Sequence, residues 1–164
     1  MKCHFYKSPI GRIILEGNKD SLTGLWFESS KNYKGRGLTE TSSPPLPIFV
    51  ETSRWLDIYF SGKAPGFTPK MEIQGSEFMK SVCQIMLEIP FGQTTTYGAI
   101  AKEICHRMNK QKMSAQAVGG AVGHNPISLI IPCHRVIGSN GNLTGYGGGI
   151  DKKKWLLSME HNQP

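Results

Sequence analysis

The run Ala64-Pro65-Gly66-Phe67-Thr68-Pro69 splits the chain into two stretches that no single helix or strand can join. Each proline fixes φ and lacks a backbone donor, and the glycine between them loosens the chain further. Before this break, short apolar runs alternate with turn residues; after it, apolar residues recur at helical spacing. A linker is expected between Pro69 and Gly75, giving an N-terminal structural domain over residues 1–72 and a C-terminal domain over 73–164. A chain of 164 residues is long enough to bury a core in either arrangement.

The first third reads as strands and turns. Ser8-Pro9-Ile10-Gly11 ends an opening strand, Ile13-Ile14-Leu15 begins a second, and Gly24-Leu25-Trp26-Phe27 makes a third after Asn18-Lys19-Asp20. Together they predict a β-meander. Lys31 to Gly37 and Ser42-Ser43-Pro44-Pro45 are loop by composition. Ile48, Val50, Trp55, Leu56, Ile58, Tyr59 and Phe60 then predict a helix that stops at Ser61-Gly62.

The second part opens with a helix capped by Ser76 and carrying Phe78, Val82, Ile85 and Met86, followed by a turn at Pro90-Phe91-Gly92. Tyr97, Ile100, Ala101 and Ile104 fall at i, i+3, i+4 and i+7 behind Thr94-Thr95-Thr96. After the basic connector from His106 to Lys112, residues Ser114 to Gly123 form a second short helix. Ala115, Val118 and Val122 share one side of it, and Gln116, Gly120 and Gly123 the other. The pair reads as a helix-turn-helix. Glycines on the outer face cost helix propensity, and either close approach of the backbone to a large ligand, the reading favoured by the charge, or close packing on a neighbouring helix or strand accounts for them. Asn140-Gly141 predicts a hairpin. Gly145-Tyr146-Gly147-Gly148-Gly149 lacks the spacing and the following Lys-Ser/Thr of a phosphate loop, and reads as a close-approach wall with one aromatic. Asp151 is expected to cap a last helix that carries Trp155, Leu156, Leu157 and Glu160.

Between these elements stands Pro132-Cys133-His134-Arg135-Val136, directly after the apolar run Ile127 to Ile131. A cysteine attacks only as its thiolate, and neighbouring His or Arg charge stabilises that anion. On an extended strand, successive side chains point to opposite faces. His134 therefore reaches Cys133 only through a turn or a bridging water. Cys3, Cys83, Cys105 and Cys133 show no CxxC pairing, and the N-terminus has a positive start without an apolar run behind it. These features predict reduced thiols and a soluble, cytoplasmic protein with no metal site. A net charge of +7 and a pI near 9.3 point to a polyanion, nucleic acid first, as partner.

With these pieces in order the chain resembles the O6-alkylguanine-DNA alkyltransferases, single-turnover proteins that repair methylated DNA. The resemblance is close over residues 75–160 and loose before them. It rests on Asn125-Pro126, on Ile130-Ile131-Pro132-Cys133-His134-Arg135-Val136-Ile137, on Gly145-Tyr146, and on Trp155-Leu156-Leu157 with Glu160. It implies an α/β (α+β) fold: a small ribonuclease H-like domain of meander plus helix, then a mostly helical, winged helix-turn-helix-like domain. It further implies irreversible transfer of a methyl or larger alkyl group from guanine O6, and from thymine O4, in duplex DNA to Cys133 after base flipping. By the same resemblance His134 takes the thiol proton through a water, and Glu160 orients and charges the imidazole. Tyr97 would hydrogen-bond ring N3, and Asn125 would hold the hinge between the recognition helix and the active-site strand. Tyr146, Gly147, Gly148, Val122 and the backbone of Val136 are the implied pocket. Thr95, Ser114, Ala115, Gln116, Ala117, Gly119, Gly120, Gly123 and Arg135 are the implied DNA contacts. No cofactor, membrane or obligate protein partner is implied, and a monomer is expected.

Three rival readings are each met by a residue. A recognition-only relative would replace the reactive cysteine, usually with tryptophan; a regulator leaves the Cys-His pair and Glu160 unexplained; a cysteine hydrolase needs an oxyanion hole and repeated turnover. Two positions depart from the family pattern. Gln116 stands where well-known members carry an arginine that fills the gap left by the flipped base, and Gly147 stands where others carry a serine that helps hold guanine O6. Glutamine fills the gap without positive charge, so the flipped state is expected to be less stabilised. Gln116→Arg should therefore react faster with duplex substrate in single-turnover assays; an unchanged rate would show that the missing charge is immaterial.

Overall fold

The computed structural model describes residues 2–33, 39–40, 45–143 and 145–161. Most of the loop expected from Lys31 to Pro45 lies outside the described residues. The chain begins with three antiparallel strands, β1 (Lys2–Ser8), β2 (Gly11–Gly17) and β3 (Leu22–Phe27), and the short β4 (Thr39–Glu40) pairs parallel with β1. Sheet order is β3-β2-β1-β4, so the expected meander is present with one added edge strand. The first turn is closed by the Ser8 hydroxyl, which donates to Gly11 O at 2.5 Å and accepts from Ile10 N at 3.2 Å.

Helix α1 (Pro47–Phe60) packs on this sheet with Ile48, Phe49, Thr52, Trp55, Leu56 and Tyr59 buried. Proline in the first turn loses no helical bond there. Val50 was expected on the buried stripe, but it is 53% exposed because Phe49 and Thr52 occupy the inner face instead. Thr52 is accommodated by donating its hydroxyl to Ile48 O at 2.8 Å. Tyr59 lies at the far end of the helix, fully buried, and faces the C-terminal half.

Helices α2 (Glu77–Leu87), α3 (Tyr97–Arg107) and α4 (Ala115–Gly123) begin at Ser76, Thr96 and Ser114, each of whose side chains accepts from the backbone N–H three residues on. Such caps satisfy donors that helix geometry leaves unpaired. The α3 and α4 pair is the expected helix-turn-helix, and α3 runs two residues, His106 and Arg107, into the predicted connector. Ala115, expected inside, is exposed; Val118, Ala121 and Val122 form the inner face of α4.

Two further expectations are corrected. The Asn140-Gly141 turn forms, with Gly141 at φ +83, but it does not close a hairpin. Strand β6 (Val136–Ile137) pairs parallel with β5 (Thr95–Thr96), which puts the start of α3 beside the segment after Cys133. The run Ile127 to Ile131 is a tight turn rather than a strand. Leu129 adopts φ +71 there, and Ile131 N donates back to Ile127 O at 3.1 Å. The run is stitched to β3, since Leu25 N donates to Pro126 O and Ser128 N to Leu25 O, both at 2.9 Å. Helix α5 (Ile150–His161) starts one residue before Asp151, so that carboxylate meets the positive helix end from inside the first turn. Buried residues from both sides of the 61–75 connection form one hydrophobic cluster, from Ile13 to Leu156. Among the described residues no helix is long and apolar enough to cross a membrane.

Candidate active site and nucleic-acid face

Cys133, His134 and Arg135 form a single 3-10 turn, with Arg135 N donating to Pro132 O. The turn removes the constraint an extended strand would impose. Cys133 is 6% exposed and His134 fully buried. Helix α5 brings Lys153, Leu156 and Glu160 inward at i, i+3 and i+7, which places Glu160 against the turn.

Glu160 accepts five hydrogen bonds. Oε2 receives Tyr59 Oη at 2.5 Å, His134 Nε2 at 2.5 Å and Arg135 Nη2 at 3.1 Å; Oε1 receives Arg135 Nε at 2.8 Å and Gly92 N at 3.1 Å. Burial acts to raise this carboxyl, but the bonds and charge of His134 and Arg135 outweigh it and bring the pKa down to about 2. An ionised carboxylate only accepts, so His134 Nε2 carries the hydrogen and Nδ1 keeps its lone pair. Nδ1 is buried and has no hydrogen-bond partner among the described residues. Burial lowers the His134 pKa, and Glu160 opposes that shift. The imidazole is therefore a neutral base at rest.

Burial pushes the Cys133 thiol up. The Asn125 side chain, the Lys153 charge and the Ser128 hydroxyl work the other way. Asn125 is buried where α4 ends: Nδ2 donates to Ile131 O at 2.7 Å and Oδ1 accepts from Ile127 N at 3.0 Å. It thus ties the recognition helix to the turn that carries Cys133. Lys153, buried on α5, donates to Val136 O at 2.7 Å, so the expected base-reading carbonyl is already anchored by an ammonium.

A narrow cleft of about 10 Å³ lies at Cys133 between Val122, Gly123, Asn125 and Ser128 on one side and Gly145 to Gly148 on the other. Tyr146 is buried in its wall, with its phenol pushed well above the ordinary value by burial and by Cys133 and Glu160. Tyr97 is half-buried at the start of α3; burial first, then Cys133, raises its phenol. A side chain at Gly145 would meet its hydroxyl at 3.7 Å, and one at Gly119 its ring at 3.8 Å. Tyr97 therefore sits between α4 and the glycine-rich wall. On α4 itself Ser114, Ala115, Gln116, Ala117 and Gly120 are exposed, while Gly119, Gly123 and Thr95 are half-buried.

Arg135 does not belong to that face. Its guanidinium is 7% exposed and committed to Glu160 and to Ile89 O at 2.8 Å, which corrects the expectation that it contacts DNA. Sequence reasoning also missed Tyr59, Ser30, Asn32, Ser128 and Lys153. Asn32, from the loop after β3, donates to Gly123 O at 2.5 Å across the mouth of the cleft, and Lys31 N donates to Gly147 O at 3.2 Å. A Cβ at Gly147 would stand 2.7 Å from Asn32 Nδ2 and 3.3 Å from Ser30 Oγ. The space a serine would use is filled by the Asn32 amide. Among the described residues no group of three or more His, Cys, Asp or Glu side chains is placed to hold a metal ion.

Fold and site together define a protein that presents an activatable thiol behind a helix-turn-helix. Residues 77–162 match the model of the 6-O-methylguanine DNA methyltransferase DNA-binding domain, and residues 1–73 that of the same family's ribonuclease-like domain. The chain belongs to the 6-O-methylguanine DNA methyltransferase family. A Methanosarcina mazei protein named methylated-DNA–protein-cysteine methyltransferase is 44% identical over 162 residues, covering 99% of this chain and 98% of the relative. A Mycobacterium tuberculosis OGT solved in complex with DNA superposes with a TM-score of 0.84 at 37% identity, over 98% of this chain and 93% of that one. An O6-methylguanine DNA methyltransferase from Methanococcus jannaschii gives 0.67 at 31% identity, over 98% and 94%.

Two outcomes follow from this geometry. A carboxyl held at about 2 when folded, against about 4.3 when unfolded, contributes stability that is full above the unfolded value and is lost as pH falls towards the folded one. Denaturation midpoints of the wild type should therefore fall between about pH 4.5 and 2 more steeply than those of Glu160→Gln; parallel curves would refute the assignment. Gly147→Ser should displace Asn32 and cost about 1 kcal/mol, the net worth of one hydrogen bond. In urea titrations Asn32→Ala should then absorb that cost, and full additivity of the two changes would show that the side chains do not meet.

Proposed function

We propose that this protein repairs alkylated DNA by direct reversal, transferring a methyl or larger alkyl group from O6 of guanine, and from O4 of thymine, to Cys133 in a single irreversible turnover. One observation carries the reading: the buried Cys133 shares a single 3-10 turn with His134, whose Nε2 is held on the Glu160 carboxylate. The names and the DNA complex of the relatives at 37–44% identity support the substrate class.

In this mechanism the thiol proton passes through a water to His134 Nδ1, and the Cys133 Sγ electron pair forms a bond to the alkyl carbon. The carbon–O6 bond breaks with its pair going to the purine. Tyr97, placed at the cleft mouth, hydrogen-bonds ring N3 and offsets the charge arriving there. The thioether that results has no route back to a thiol, which makes the reaction stoichiometric. The departing purine takes up a proton as the imidazolium gives its own back, so the alkyl group ends on sulfur and the thiol proton on guanine, without a cofactor.

The target atom is inside a duplex, so the nucleotide must leave the stack. Helix α4 faces the minor groove with Ser114, Ala115, Gln116, Ala117, Gly119, Gly120 and Gly123, whose small side chains suit that narrow space, and Gln116 occupies the gap. Thr95 meets the backbone beside α3. Lys102 and Lys112, which line a shallow groove between α3 and the start of α4, supply phosphate contacts. Affinity should therefore depend on salt more than on sequence. The flipped base enters between Val122, Tyr146, Gly147 and Gly148, with the Val136 backbone reading its edge. All these groups come from one chain, and the protein is proposed to act as a monomer. Four cysteines that form no disulfide suit a cytoplasmic setting.

Intact mass after mixing with a slight excess of duplex bearing one O6-methylguanine should rise by one methylene, mapped to Cys133 and absent in Cys133→Ala. Tight lesion binding with no gain in mass would instead assign the chain to recognition without transfer.

A further inference from the structure

Tyr59 comes from α1 in the N-terminal half, yet its hydroxyl ends inside the site. It donates to Glu160 Oε2 at 2.5 Å and lies 3.2 Å from His134 Nε2, with its ring edge-on to the imidazole at 6.2 Å between centroids. We infer that Tyr59 is a positioning residue for alkyl transfer: by sharing Oε2 with His134 it fixes the carboxylate and keeps the imidazole neutral, so that Nδ1 stays available as the base. This rests on the reading of Cys133 as alkyl acceptor given above.

A buried tyrosine needs some partner for its hydroxyl. Tyr59 makes its bond to the oxygen that also holds the base, so the phenol and the imidazole compete for one acceptor. Each donor to a carboxylate spreads its charge and weakens its pull on the next. The other charged groups facing His134 are Arg135 on its own turn and Lys153 and Glu160 on α5. Lys153 and Arg135 disfavour an imidazolium, and Glu160 favours it. Tyr59 moderates Glu160 alone. Its own phenol is held far above the ordinary value, by burial first and then by Glu160, so it stays a donor at every working pH.

Removing the phenol leaves Oε2 a stronger acceptor for Nε2, which stabilises the imidazolium and raises the His134 pKa. The inactive state with thiol and imidazolium both protonated then persists to higher pH. The acid limb of Cys133 reactivity should accordingly move up by roughly 0.5–1 pH unit, the equivalent of about one net hydrogen bond. The plateau should fall about five- to tenfold as the imidazole loses its fixed orientation.

The experiment compares wild type, Tyr59→Phe, Glu160→Gln and the double variant across pH. Two rates are read: iodoacetamide alkylation of Cys133, and methyl uptake from an O6-methylguanine duplex. Phenylalanine keeps the ring contacts with Trp55, Phe60 and Phe91. The expected result is an upward shift for Tyr59→Phe that vanishes in the Glu160→Gln background. A limb that does not move, or moves equally in that background, overturns the role of Tyr59. Wild type that takes up no methyl overturns the proposed function instead, and the iodoacetamide limb still decides on Tyr59. If Tyr59→Phe does not fold, nitrogen-15 spectra of histidine-labelled wild type decide: a neutral Nε2–H tautomer at pH 7 is expected for His134, and an imidazolium or Nδ1–H tautomer overturns the inference.

Discussion

A single buried carboxylate organises this molecule. Glu160 collects donors from helix α1, from the turn at Gly92 and from the turn that carries Cys133, and it is itself delivered by the last helix. Taking a charge out of water is costly, and only near-complete hydrogen bonding recovers the cost. Each of its donors must therefore be in place, and with them the elements that supply them. Closing this one site fixes α1, α5 and the Cys133 turn relative to one another. Breaking it by removing one partner is expected to cost more than the bond itself, because the remaining charge stays buried.

What was legible in the sequence was mostly local. Ser76, Thr96 and Ser114 cap helices because a hydroxyl reaches its own backbone three residues on, and no tertiary contact is needed for that. Cys133, His134, Tyr146 and Glu160 were found through residue chemistry and resemblance. Tyr59 escaped because its partners are 75 and 101 residues away, and nothing near it on α1 marks it from an ordinary core tyrosine. Arg135, an implied DNA contact by resemblance, is instead committed to an anion inside the protein, Glu160, which no local pattern announces. The run 127–131 was misread as a strand because four apolar residues in five fit a buried strand or a buried turn equally well. What decided for the turn was a positive φ at Leu129, which an L-residue adopts only where its surroundings enforce it.

The glycines tell a second story. On α4 they leave Gly120 and Gly123 with open space outside their Cα atoms, consistent with a surface kept low for a ligand. At Gly147 the reason is the opposite: the neighbouring space is taken by Asn32, which closes the cleft from the N-terminal half by bonding to the end of α4. The same residue type thus serves access on one side of the site and closure on the other. Through Asn32 and Tyr59 the first half of the chain reaches both the mouth of the cleft and the buried Glu160 carboxylate, so its part in the site exceeds that of a buttress.

Desolvation sets the working state of the nucleophile. It raises the Cys133 thiol and lowers the His134 imidazole, so both are neutral at rest. A free thiolate would be attacked by oxidants and metals; a buried thiol is largely spared. Once the proton moves, the same low-dielectric surroundings strengthen every charge contact in the site. Glu160 then faces the imidazolium, while Asn125, Ser128 and Lys153 face the thiolate. The groups that stabilise the pair are already oriented and need no reorganisation during reaction. A thiol that must wait intact and react once is well served by burial, since protection before the event and stabilisation during it come from the same excluded water.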